Sequence, residues 1–125
     1  MTDLAAVAAA YWSRHRLSSG DRAARLRVEA GEGHWAWEFV NDAVMDGSDV
    51  AVPLLDALLT ADGADPCFVG AGPIEDLLVE HGHRFLADVV ARCRQSDLWR
   101  DALRCVWLDE AARARLPDVV PFLAR

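Results

Sequence analysis

Two groups of side chains have the types and spacing to do chemistry. His34, Glu38, Asp42 and Asp46 recur at every fourth position, which on a helix lines them along one face. A histidine one turn from a carboxylate could ligate a metal, and two carboxylates held together could serve as acid and base. The second group is Glu75, Asp76, Glu80, His81 and His83. If Glu38 approached Glu75 or Asp76 across a helix pair, one carboxyl would have a raised pKa. Each group also has an ordinary reading. An acidic stripe at four-residue spacing is a solvated helix face, and the acids at 75 and 76 would meet an arginine, Arg104 being the candidate. The His-Glu-x-x-His helix of zinc proteases is absent, so no metal ligand is assigned.

The remaining reactive residues carry less. The serines at 13, 18, 19, 48 and 96 sit at turns, caps or a helix end, with no Gly-x-Ser-x-Gly setting. No nucleophile is assigned, and no catalytic residue. The chain contains no P-loop and no dinucleotide fingerprint, so no cofactor is expected. Cys67, Cys93 and Cys105 are odd in number and form no Cys-x-x-Cys pair. They read as three buried or half-buried thiols, because a disulfide is not expected in a reducing compartment and zinc ligands are spaced more closely.

The elements that position these residues are read from caps, breakers and apolar spacing. A first helix runs from about Asp3 to Arg16, with Leu4, Val7, Ala8, Tyr11 and Trp12 on one face. A short second helix covers Arg22 to Val28. Gly31-Glu32-Gly33 breaks the chain before a helix over 34–46, whose core face is Trp37, Val40 and Val44, widened by Ala36, Phe39 and Ala43. Ser48 or Asp49 caps the next helix, which carries Val50, Leu54, Leu55, Leu58 and Leu59 inward to about Thr60. Asp65-Pro66 begins another helical turn, and Gly70-Ala71-Gly72-Pro73 ends it. The longest helix starts at Pro73 and keeps a 3-4 apolar spacing to Cys93, with Gly82 as a kink site and His81 on its apolar face. Ser96-Asp97 opens a helix with Leu98, Trp99, Ala102, Leu103, Val106 and Trp107 apolar, and a short helix follows from Leu108 or Asp109 to about Leu116. No strand pattern is present. The expected fold is all-α, one helical domain over 1–125: a compact array of short antiparallel helices, HEAT-like or an irregular orthogonal bundle.

Among these residues Trp35 stands apart. It leaves its helix about 160° from Trp37 and is expected to be exposed, where an aromatic side chain can anchor an interface.

Charge is distributed unevenly. The chain has 13 arginines, no lysine, 20 acids and a net charge of −7, a composition typical of a GC-rich bacterial genome. Residues 28–83 hold twelve of the acids and no arginine, while both ends carry a net positive charge. Such a stretch repels itself unless the arginine-rich ends fold back on it or a basic partner covers it. It argues against nucleic acid, whose phosphates it would repel, and suits a basic protein. No run approaches the ~20 apolar residues of a membrane span. The N-terminus places an acid where a signal peptide has its basic region, so the expected location is the cytoplasm.

The most distinctive string is Gly70-Ala71-Gly72-Pro73-Ile74-Glu75-Asp76-Leu77-Leu78. A glycine-rich turn before a helix could cradle phosphate, but Pro73 removes an amide donor and Glu75 and Asp76 already fill the first turn. With His81-Gly82 after it, Trp35-Ala36-Trp37-Glu38-Phe39-Val40 upstream and Leu103-Arg104-Cys105-Val106-Trp107 downstream, the string resembles an uncharacterised bacterial domain-of-unknown-function family. The resemblance covers roughly residues 34–107. It implies a helical single domain and supplies no mechanism.

Two functions remain open on the sequence. The favoured one is a non-enzymatic protein-interaction module of the immunity-protein or antitoxin type, binding a basic protein through Trp35, Glu38, Asp42, Asp46, Glu75, Asp76 and Glu80. The alternative is a small enzyme or a ligand- or metal-binding domain that uses Glu38, Glu75, Asp76 and His81. A homo-oligomer burying Trp35 and the terminal helix is a third arrangement.

Overall fold

Five short polar side chains start five helices. Asp3, Asp21, Asp65, Ser96 and Asp109 each accept the backbone N–H of the residue three positions on, satisfying a donor that the helix cannot. They open α1 (Leu4–Ser18), α2 (Arg22–Glu29), α5 (Pro66–Val69), α7 (Asp97–Leu103) and α8 (Glu110–Arg115). Gly33 and Gly47, with φ of 76° and 65°, take the left-handed turns that flank α3 (His34–Met45). The remaining elements are α4 (Ala51–Thr60), a π-helical turn (Gly70–Ile74), α6 (Glu75–Gln95) and a 3-10 turn (Pro117–Phe122). These come from a computed structural model, which describes residues 2–124. It contains no strand among the described residues, as the sequence implies.

The buried side chains form one hydrophobic core. Leu54, Leu55 and Leu58 of α4 are fully buried at its centre, with Leu77 of α6 and Leu103 of α7. Each such leucine contributes roughly 1.5–3 kcal/mol of burial. α1 packs on α2, α3 and α4, while α6 packs on α3, α7 and the 3-10 turn. A solenoid would confine each helix pair to its sequence neighbours, so this is an irregular array. Trp12 ties α1 to α4: its indole N–H donates to the Leu58 carbonyl at 2.8 Å.

Several expectations are corrected. The Gly70–Pro73 segment is not a turn that ends one helix and starts another. The chain stays helical from Pro66 to Gln95 through the π turn. Gly70 explains this, because a Cβ there would lie 1.9 Å from the Ala102 carbonyl oxygen. The bare glycine lets α5 and α7 touch backbone to backbone, and the wider π turn accommodates Pro73 inside the helix. The kink in α6 lies at His81 (φ −137°, ψ 29°), one residue before the glycine expected to host it. Gly82 is instead buried under the Leu116 methyls.

The cysteines are corrected as well. Cys67 and Cys105 form a disulfide that ties α5 to the segment after α7, and only Cys93 is a free, buried thiol. Their 38-residue separation in the chain concealed a pairing that arises because α5 and α7 are neighbours. α7 also stops at Leu103, so Trp107 is not a core residue; it is 71 % exposed.

Candidate functional site

α3 faces two ways. Ala36, Val40, Ala43 and Val44 are buried, and their 3-4 spacing sets the opposite side of the helix outward. That outer side carries Trp35, Glu38, Asp42, Met45 and Asp46, all exposed. Trp35 is 55 % exposed, as its place on the helix implies. Trp37 falls at the edge of the inward face and is 41 % exposed, against its expected core role. It lines a groove with Tyr11, Phe68 and Asp76 instead.

The acids of the central segment are only partly neutralised by the arginine-rich ends. Asp56 is the best served: the Arg92 guanidinium reaches both its oxygens at 3.1–3.3 Å, and the Trp99 indole N–H donates to it at 2.7 Å. Asp49 pairs with Arg84 and Glu32 with Arg27. No arginine among the described residues pairs with Glu38, Asp42, Asp46, Asp76 or Glu80. Glu38 meets only His34, at 3.3 Å, on an open surface.

The second polar group disperses. Glu75 accepts the backbone N–H of Trp107 at 2.6 Å, while the expected partner Arg104 pairs with Asp101. His81 shares a hydrogen bond with the Met45 carbonyl at 2.7 Å, beneath Gly47, and so joins α6 to the end of α3. Asp76 lines the groove beside Val40, Asn41 and Val44 of α3. Burial, together with the neighbouring carboxylates of Glu75 and Glu80, pushes its carboxyl above the usual range. Glu38, Glu75, Asp76 and His81 thus have four separate environments, and no hydrogen bond or ion pair joins any two of them. Among the described residues, no three His, Cys, Asp or Glu side chains gather as a metal site.

The exposed aromatics Phe68 and Trp107 drew no functional attention in the sequence. For Phe68 the signal was weak, since α5 is a single turn. For Trp107 the misleading signal was a helical spacing that the chain does not follow.

A model of a family of unknown function, DUF6869, matches residues 25–120. The chain belongs to this family. No curated protein and no solved structure matches it. The stretch matched by the DUF6869 model contains α3, the Gly70–Leu78 string and α6, and so includes the whole outer side of α3. α1, with Tyr11, Trp12 and Arg14, precedes that stretch. No helix among the described residues is long and apolar enough to cross a membrane.

Proposed function

We propose that this chain is a non-enzymatic interaction module that binds a basic protein through the outer side of α3 and the adjoining start of α6, in the manner of a bacterial immunity protein or antitoxin. The observation that carries the reading is the α3 ridge: an exposed Trp35 beside Glu38, Asp42 and Asp46, none of which meets an arginine among the described residues. An exposed aromatic side chain is an effective anchor once desolvated. Unpaired carboxylates around it steer a cationic partner toward the anchor and reject acidic competitors. Asp76 and Glu80 extend the negative field from the neighbouring helix. The same charges leave nucleic acid out of this proposal.

The reading places the chain in the cytoplasm. A disulfide such as Cys67–Cys105 is unusual there, but the α3 ridge involves neither cysteine.

The test is capture from host lysate at low and moderate salt, followed by calorimetry with the identified protein. The variant Glu38→Lys/Asp42→Lys/Asp46→Lys is expected to lose about tenfold or more in affinity, chiefly through slower association. Trp35→Ala is expected to lose a similar factor through faster dissociation. A partner that binds both variants as tightly as the parent chain would overturn the assignment of this face.

A further inference from the structure

Between α1, α3 and α5 the surface opens into two adjoining hollows of about 210 and 250 Å3. Both are lined by Tyr11, Trp37 and Phe68, so together they form one aromatic-walled groove with two ends. Arg14 and His15 lie at one end and Asp76 at the other. The walls are held in place: Trp37 stacks on His34 with ring centroids 5.7 Å apart, and Phe68 lies 4.2 Å from the His15 ring.

Two hydrogen-bond donors line this groove without a protein acceptor among the described residues. Tyr11 is 5 % exposed as a residue, but its hydroxyl is not among the buried atoms that lack a partner and is open to the groove. The Arg14 Nε is buried without a partner, and its guanidinium forms no ion pair among the described residues. The Tyr11 hydroxyl and the outer guanidinium nitrogens of Arg14 are the groups an arriving oxyanion could meet.

We propose that this groove binds a small organic acid: a carboxylate carried on an aromatic body. The rings of Trp37 and Phe68 flank the body, the Tyr11 hydroxyl donates to one carboxylate oxygen, and Arg14 supplies the counter-charge. Asp76 fixes the direction, since its charge repels the carboxylate from the far end. The size of the hollows suits a free small molecule, and apart from Asp76 at its far end the site lies off the proposed protein-binding face, because Trp35 leaves α3 about 160° away from Trp37.

Calorimetry with 3-phenylpropionate, its neutral amide and 3-phenylpropylamine tests the proposal on the intact chain. The acid is expected to bind at least about tenfold more tightly than either of the others, a difference of ~1.4 kcal/mol. Tyr11→Phe, which removes only the hydroxyl, is expected to weaken the acid about five- to tenfold. Arg14→Met keeps the stem that packs under Gly33 and is expected to weaken it more than tenfold, with amide binding unchanged in both variants. Equal binding of acid and amide, preference for the amine, or no binding of the acid at about 10 mM would each overturn the proposal. The α3 charge-reversal variant is expected to keep its affinity for the acid, which separates this site from the protein-binding face.

Discussion

At the residue scale Tyr11 is the most informative side chain. Burial pushes its phenol up to about 12 from the usual 10, against a smaller opposing pull from Arg14. A raised folded pKa means that the neutral phenol is the form the fold tolerates. Its contribution to stability is complete below about pH 10, where the unfolded phenol begins to ionise, and is lost as pH rises through the folded value near 12. The loss amounts to roughly 3 kcal/mol. Since the chain has one tyrosine, phenolate absorbance reports it alone. The native titration midpoint is expected about two units above that in denaturant, and coincident midpoints would mean that the ring is open to water.

Cys93 shows the same physics. Burial pushes its thiol up to about 11, so it is a packing residue and a poor nucleophile. His81 was legible as a boundary histidine because it falls on the apolar face of its helix. Its partner, the Met45 carbonyl, lies 36 residues earlier and could not be read from any local pattern.

At the scale of elements, the joint between α5, the π turn and α6 is the part of the molecule that sequence rules read wrongly. Gly-Ala-Gly-Pro is ordinarily turn chemistry. Here Gly70 is present because another backbone occupies the space of a side chain, whereas a Cβ at Gly72 would meet nothing within 4 Å. The two glycines therefore predict opposite outcomes. Gly70→Ala is expected to destabilise by about 3 kcal/mol or more, since Ala102 backbone cannot move aside. Gly72→Ala, in a helical position with open space, is expected to be neutral or to stabilise by up to about 1 kcal/mol. Urea unfolding of the pair decides it, and equal midpoints would show that the α5–α7 approach is not as close as described. The starts of the five side-chain-capped helices were legible, because a cap acts within three residues; that of α4, expected to be capped by Ser48 or Asp49, begins instead at Ala51 after Val50. The end of α7 was not, because the segment after Leu103 is directed by Cys67 and Glu75, both distant in sequence.

For the whole molecule, the charge pattern and the disulfide govern stability and accessibility. The arginine-rich ends do fold back, but onto Glu32, Asp49 and Asp56, leaving the α3 ridge and the start of α6 unpaired with arginine. The Cys67–Cys105 bond closes a 38-residue span, and restricting that loop in the unfolded chain is worth about 4 kcal/mol in the chain-entropy account. Reduction, or Cys67→Ser/Cys105→Ser, is expected to lower unfolding free energy by about 2–4 kcal/mol while leaving the helical content unchanged, because Gly70 and Ala102 still hold α5 against α7. Denaturant titrations with and without a dithiol reductant measure this, and unchanged midpoints would mean that the two cysteines do not pair in solution.

Local periodicity by itself determined the all-helical class, most helix starts, the core face of α6 and that of α4 except for Val50, which is exposed ahead of the helix, since a helix is encoded in caps and 3-4 spacing within a dozen residues. It also set Trp35 and the α3 acids on one outward face. Only the tertiary structure decided which acids find arginines, that Cys67 meets Cys105, and that Glu38, Glu75, Asp76 and His81 part company. It also brought Tyr11 and Arg14 of α1 to the same groove as Trp37 and Phe68. Those pairings depend on which helices become neighbours. In an irregular array, that is settled by how the whole set of apolar faces packs together.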